Sequence, residues 1–338
     1  NLIPQPQGTI TLNPDRVCAW ADPAADIWRQ SGVWDVGADG TPVLLRDDHF
    51  AAVDFTHDCI LPHAYRYAKA VRAADPDAII FLEGRPASPE PLRWEPDIPA
   101  VNASHWYDSL TVLTKHYDPE RCMAGRAGSG AFVTGAAAVR AFFAAEIGAH
   151  VENSRRNLGN APTLIGEFGL PFDLDDGAAF RTGDFAIHEQ ALATYYDALD
   201  AHLVHSAQWN YTADSSNQWG DQWNHEDFSI FCRDQQADPA DPDSGGRAVR
   251  GFCRPRVMAC AGTPTRQSFD LASGVFTLAI DADPAIPAPT TVYVPRLQYL
   301  DGFDAAVTAG RTRYDADAQT LTWHLDSAGP QTLTLTRR

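Results

Sequence analysis

A chain of 338 residues with 44% apolar content is long enough to bury a large core in one or two domains. Its formal net charge of -18, from 44 acidic residues against 26 Lys and Arg, argues against a polyanionic partner such as nucleic acid. No run of about 18 apolar residues is present, so no helix of this sequence is expected to span a membrane.

Asn1-Leu2-Ile3-Pro4 has neither a basic n-region nor an apolar h-region and lacks an initiator Met, which reads as a processed or truncated terminus. Lys69 and Lys115 are the only lysines. The six cysteines are Cys18, Cys59, Cys122, Cys232, Cys253 and Cys260, and none stands in C-x-x-C or another zinc spacing. An even count permits disulfides, with Cys232 and Cys253 the pair to test first. Six thiols in a reduced compartment are the favoured reading, and with it the cytoplasm over a secreted location. Neither a metal nor a cofactor is expected.

Residues 1 to about 50 read as an irregular but ordered segment, carrying five prolines and Trp20, Trp28 and Trp34. From Asp58 to Ala74, Ile60, Ala64, Tyr67 and Val71 recur at helical spacing, and Pro76 closes the helix. Residues 78–82 form a short buried strand ending on Glu83-Gly84. A Pro-rich loop follows, then a weaker strand over 101–104 ending on His105-Trp106-Tyr107-Asp108. Beyond a loop with Gly125, Gly128 and Gly130, a helix is expected from about Gly135 to Asn157, with Val139, Phe142, Phe143 and Ile147 on one face.

The stretch that organises the chain comes next, Thr163-Leu164-Ile165-Gly166-Glu167-Phe168-Gly169-Leu170. Leu164 and Ile165 suit a strand covered on both faces, as in a parallel sheet. Gly166 and Gly169 allow close approach of backbone or ligand. Glu167 then stands at the C-terminal end of a buried strand, where α/β barrels carry their catalytic groups. The plain alternative is a salt-bridged Glu at a strand end.

A further helix is expected over about 185–202 and a strand over 206–208, ending on Trp209-Asn210-Tyr211-Thr212. A long loop, 214–232, is rich in Trp, Asn and Asp, and a short helix is expected over about 246–260. After Gly262 only β-type runs remain: 268–271, 275–280, 291–294, 320–325 and 332–336. They read as a small antiparallel β-sandwich. The domains expected are 1–260 and 261–338.

The four strands of 54–260 each end on a polar or aromatic cluster, and their spacing fits βα units. In a barrel their ends converge: Glu83, His105 and Tyr107, Glu167, Trp209 and Asn210. Trp209 suits stacking on a sugar ring, His105 and Tyr107 suit hydrogen bonding, and Glu167 suits attack on an anomeric carbon. Singly, Tyr107 and Trp209 are more often core aromatics, His105 a structural His and Glu83 an ion-pair partner. Their shared position at successive strand ends favours a site.

These residues also carry a resemblance. Ile165-Gly166-Glu167-Phe168-Gly169, His105-Trp106-Tyr107-Asp108 and Trp209-Asn210-Tyr211-Thr212 resemble glycoside hydrolase family 5. The stretch through Trp219-Gly220, Trp223-Asn224 and 226–230, with Arg254-Pro255 and the β-rich tail, resembles its endoglycoceramidase-related branch, which holds glucosylceramidases and steryl-β-glucosidases. The resemblance implies the second half (strands 5–8) of a (β/α)8 TIM barrel plus a C-terminal β-sandwich. It also implies retaining hydrolysis of the β-glucosidic bond of a glycolipid. By position Glu167 matches the nucleophile, His105 and Tyr107 the residues touching it, and Trp209 the sugar-subsite aromatic. Glu83 matches the carboxylate closing the fifth strand.

The Asn-Glu-Pro run that carries the family's acid/base is absent from the sequence. The expectation is therefore that an upstream half-barrel, in cis or as a second chain, supplies it. Without that half, the barrel-facing side chains among Ile80, Leu164 and Ala207 would be exposed. Segments 1–50 and 214–244 are expected to wall the cleft, with Trp20, Trp28, Trp34, Trp219 and Trp223 facing a lipid aglycone and bringing the protein to a membrane surface. The rival reading is a non-catalytic carbohydrate- or lipid-binding barrel remnant.

Overall fold

The computed structural model describes residues 11, 13–15, 17–50, 52–84, 93–94, 98–124, 131–223, 226–241 and 243–338. The Pro-rich loop after Glu83, with Arg85, Glu90 and Glu95, lies outside them, as do Gly125, Gly128, Gly130 and Asn224. Two compact units divide at Tyr65 and Arg66.

The first unit is less irregular than its composition suggests. Asp26 caps a single helical turn, α1 (Ile27–Gln30), by accepting from the backbone of Trp28 and Arg29. Strands β1 (Trp34–Val36) and β2 (Pro42–Leu44) then form an antiparallel hairpin. Gly40, at φ +83°, takes the left-handed position of its turn. Trp28 packs edge-on against His49 and Phe50. Strands of three residues are too short to leave a periodic signal, which is why the sequence showed none.

A π-helical turn at Phe55–Ile60 leads into α2 (Leu61–Ala74), whose C-terminal part begins the second unit. There follow β3 (Ile80–Leu82), β4 (Ala100–Asn102), α3 (Ser109–Thr114) and a hairpin of β5 (Arg121–Met123) with β6 (Phe132–Thr134). Next come α4 (Ala136–Asn157), β7 (Leu164–Phe168), α5 (Leu174–Thr182), α6 (Ala186–Asp200) and β8 (His205–Gln208). The strand expected over 101–104 thus stops at Asn102, and His105 stands on the loop beyond it.

β3 runs parallel to β4, a parallel bridge joins Asn102 to Thr163, and β7 runs parallel to β8. These four strands are the α/β frame of the unit. Among the described residues β3 pairs only with β4, and β8 only with β7. Ala207 is exposed, but Leu164 is half-buried and Ile80 buried, so the expected exposure holds for one of the three. On β3 it is Phe81, on the opposite face, that is 53% exposed.

One core joins β7 to the helices: Ile165 and Phe168 of the strand, Phe143 and Ile147 of α4, Leu192 and Tyr195 of α6. Glu120 fixes the start of α4 by accepting from the free N–H of Ala136 at 2.8 Å. Buried Asn102 donates to Ser154 Oγ at 2.8 Å and to the His150 carbonyl at 3.1 Å, tying β4 to the same helix.

The expected helix over 246–260 is a correction. Only α7 (Val249–Phe252) is helical, and β9 (Arg256–Ala259) already belongs to the C-terminal sheets. Arg254-Pro255 breaks the helix between them, because proline has no N–H to continue it. The remaining strands are β10 (Gly262–Asp270), β11 (Val275–Ala282), β12 (Thr290–Tyr293), β13 (Phe303–Val307), β14 (Arg311–Asp315), β15 (Thr320–His324) and β16 (Gly329–Arg337). They make two four-stranded antiparallel sheets, β10-β11-β16-β13 and β14-β15-β12-β9. Alternate residues of both sheets, among them Phe276, Leu278, Val292, Leu321, Trp323, Leu333 and Leu335, share one apolar core.

Arg254 fastens the sheets to α6. Its buried guanidinium donates to Asp197 at 2.6 Å, Asp200 at 3.2 Å and the Phe269 carbonyl at 3.1 Å.

Candidate active site

Glu167 is the penultimate residue of β7, and a bulge sets its direction. Between Ile165 and Phe168 the register against β8 slips by one residue, so Gly166 and Glu167 leave the ladder. Their backbone turns to the segment after β4 instead. Gly166 N–H donates to the Ser104 carbonyl at 2.9 Å, and the Glu167 carbonyl accepts from Trp106 N–H at 2.9 Å. This contact needs glycine: a Cβ on Gly166 would lie 2.6 Å from the Ala103 carbonyl oxygen.

The result is a carboxylate seated against the residues of that loop. Tyr107 donates its hydroxyl to Glu167 Oε2 at 3.0 Å. His105 places Nδ1 3.1 Å from the same oxygen and Nε2 3.4 Å from Glu83 Oε1. The imidazole therefore bridges two carboxylates that come from different strand ends. Burial, then the Glu167 charge, then the hydrogen bond to it hold the Tyr107 phenol far above its ordinary pKa. Tyr107 is thereby a fixed donor.

Trp209 follows β8. Its N–H donates to the Phe168 carbonyl at 2.8 Å, and the Trp209–Asn210 peptide is cis. A side chain on Gly169 would overlap the Trp209 carbonyl oxygen, which explains the second glycine. Asn210 turns inward to its own loop, donating to Asp221 Oδ2 at 2.9 Å. Asp221 in turn accepts from the backbone of Phe228 at 2.8 Å and Ser229 at 3.2 Å. This carboxylate was not singled out from the sequence, where it is one of several acidic residues in a loop.

A pocket of about 300 Å³ opens beside these groups, lined by Trp209, Asn210, Tyr211, Thr212, Asp221, Trp223 and Glu226. Trp223 and Trp219 are 63% and 53% exposed, and Trp219 is not among the pocket's walls. Among the described residues no three His, Cys, Asp or Glu side chains gather as a metal site requires, and no helix is long and apolar enough to cross a membrane. All six cysteines are free thiols.

Behind the site, Arg247 is fully buried. It pairs with Asp227 at 2.5 Å, donates to the Ser229 carbonyl and lies 4.3 Å from the centroid of the Phe172 ring. Phe172 N–H donates to the Asp227 carbonyl at 2.6 Å, so the loops after β7 and β8 are locked together.

Residues 254–336 match the glycoside hydrolase family 5 C-terminal domain. The glucosylceramidase of Rhizopus delemar is 25% identical over 96% of this chain and 52% of its own length. The crystal structure of Cryptococcus neoformans sterylglucosidase 1 superposes with a TM-score of 0.79 at 28% identity, over 92% of this chain and 50% of that one. The chain is similar to the glucosylceramidase and sterylglucosidase branch of glycoside hydrolase family 5. Endo-glycoceramidase II from Rhodococcus sp. shares the fold at 19% identity, with a TM-score of 0.58 over 86% of this chain and 57% of that one. The chain spans about half the length of the relatives it matches.

Proposed function

We propose that this chain carries the nucleophile half of a retaining β-glycosidase that hydrolyses the β-glucosidic bond of a glycolipid, a glucosylceramide or a steryl glucoside. The observation that supports it is the Glu167 carboxylate, held by Tyr107 and His105 beside the Trp209 pocket. In this reading the sugar ring stacks on Trp209 and presents its anomeric carbon to Glu167. A Glu167 oxygen forms a bond to that carbon while the bond to the aglycone oxygen breaks, and an acid protonates the departing oxygen. Water then hydrolyses the glycosyl ester and regenerates the carboxylate. Tyr107 steadies the carboxylate, and Glu83 fixes the imidazole of His105 from its far side.

Retention of configuration requires a second carboxyl about 5–5.5 Å from the nucleophile. Glu83 is engaged behind His105, so we assign the acid/base to strands that pair with the open edges of β3 and β8, as the other half of a barrel. The exposed Phe81 and Ala207 support this reading, because parallel strands are ordinarily covered on both faces. The names of the relatives supply the lipid aglycone, and exposed Tyr211, Trp219 and Trp223 provide apolar surface for it, and for contact with a membrane.

A 2-deoxy-2-fluoro-β-glucoside with a dinitrophenyl leaving group tests the proposal, because such a leaving group needs little acid assistance. A single glycosyl mass added to the peptide bearing Glu167, absent in Glu167→Gln, is expected. No labelling at Glu167, together with no turnover of aryl or lipid glucosides by the chain alone or with a complementary half-barrel, would leave a carbohydrate-binding remnant as the better reading.

A further inference from the structure

The run His105-Trp106-Tyr107-Asp108 divides by alternation. His105 and Tyr107 face Glu167, whereas Trp106 and Asp108 turn into the body of the fold, 5% and 4% exposed. Asp108 caps α3 and accepts from Thr111 at 2.5 Å and from Tyr195 of α6 at 3.2 Å. Trp106 packs edge-on against Phe143 of α4 and against Tyr195, with ring centroids 5.2 Å away in both cases.

Trp106 is also hydrogen-bonded at both ends. Its backbone N–H donates to the Glu167 carbonyl at 2.9 Å, and its indole N–H donates to Glu146 Oε2 at 2.9 Å. Glu146 lies on α4 between the buried Phe143 and Ile147. Burial raises its pKa, the Asp108 charge adds to the rise, and the indole bond opposes it. A half-buried carboxyl is costly where an apolar residue would pack against the ring as well. What the carboxyl adds is direction. Edge-on ring contacts tolerate a tilt of the indole, and an N–H···O bond does not.

We propose that Glu146 is a positioning residue for the nucleophile: by holding the Trp106 indole from α4, it sets Tyr107 and His105 against Glu167 Oε2. The assignment rests on the glycosidase reading of Glu167. Tyr107 and His105 are the chain neighbours of Trp106, so a tilt of Trp106 displaces both together. The backbone bond from Trp106 to Glu167 passes the same displacement to the nucleophile's own strand. Glu146 acts through Trp106.

The test uses the 338-residue chain with Glu146→Leu, Glu146→Gln and Trp106→Phe. Glu146→Gln keeps an acceptor for the indole, and the other two break the bond from either side. Proton NMR reads the Trp106 indole signal and the Tyr107 hydroxyl signal and needs no turnover. Glu146→Leu should move the indole signal upfield and lose the hydroxyl signal to exchange with water. Trp106→Phe should lose the same hydroxyl signal, and it stands in if Glu146→Leu fails to fold. Glu146→Gln should retain both signals. With the 2-deoxy-2-fluoro-β-glucoside, Glu146→Leu and Trp106→Phe should lower the maximal rate of labelling at Glu167 about tenfold, at an unchanged half-saturating concentration. A Tyr107 signal that persists without the indole bond overturns the proposal, even where stability falls, because Glu146 then only supports the core. So does Glu146→Gln as impaired as Glu146→Leu, an unchanged labelling rate beside a lost signal, or an unsubstituted chain lacking the hydroxyl signal. Labelling at Glu167 with an unmoved Tyr107 signal sinks this inference alone. A Glu146-dependent Tyr107 signal in a protein never labelled at Glu167, alone or with a complementary half-barrel, sinks the hydrolase reading alone.

Discussion

Tyr107 donates to Glu167 Oε2 across 3.0 Å, although the two residues are 60 positions apart in the chain. Replacing the phenol by Tyr107→Phe removes one hydrogen bond to a charged acceptor and almost no volume. A bond of that kind contributes about 1.5–3 kcal/mol. If its donor steadies Glu167 in the transition state, kcat/KM on an aryl β-glucoside should fall roughly 10- to 100-fold. Thermal unfolding should change little. An unaltered kcat/KM would show that the contact has no part in catalysis.

Gly169 lies where the chain after β8 crosses β7. Adding one methyl group by Gly169→Ala forces the Trp209 carbonyl to move, and with it the pocket wall. Overpacking of this kind costs about 1–3 kcal/mol. Chemical denaturation should record that loss, and inhibitor binding should weaken with it.

His188 of α6 is buried against Phe172, the rings parallel within 6° and their centroids 5.3 Å apart. Burial lowers its pKa from 6.5 to about 4; the Phe172 carbonyl, Asp175 and Asp184 oppose the shift and Arg247 assists it. Between those values the unfolded chain binds a proton that the folded protein does not. Stability is therefore complete above pH 6.5 and declines as pH falls toward 4, by up to about 3 kcal/mol from this group. His188→Phe should flatten that part of the profile. Unfolding free energies of both proteins at pH 7 and pH 4.5 check it, and parallel profiles would refute the assignment.

Arg247 and Asp227, both on the chain after β8, form a buried pair whose two members meet Phe172 on the loop after β7. Burial raises the Asp227 pKa, and the guanidinium opposes that rise. Arg247→Ala leaves an unpaired buried carboxyl and should destabilise the fold by about 3–5 kcal/mol. Replacing both partners by apolar residues should recover much of that loss. A double variant no more stable than the single one would mean that the two loops depend on the ion pair itself.

Much of the frame was legible. Apolar Leu164 and Ile165 followed by a carboxylate marked β7, and the alternating Phe276, Leu278 and Ile280 marked β11. The hairpin β5–β6 and strands β9, β13 and β14 were not legible, because strands of three to five residues with polar outer faces leave too few alternations to recognise. The helix expected over 246–260 failed at Arg254-Pro255, where tertiary pairing of β9 with β12 took the residues beyond the proline. Glu83, His105, Tyr107, Glu167 and Trp209 were each visible as polar or aromatic residues at strand ends.

The sequence by itself determined which side chains gather at one end of the parallel strands, because strand periodicity and chain direction suffice to place a residue at a strand's C-terminal end. Only the tertiary structure decided what each of them touches. The bulge at Gly166 and Glu167 turns the carboxylate to His105 and Tyr107, and the imidazole spans to Glu83. Those contacts join residues 22 to 62 positions apart, as Glu83 to His105 and His105 to Glu167 are by their numbering. They depend on directions of side chains within fractions of an ångström, which no local pattern of residues encodes.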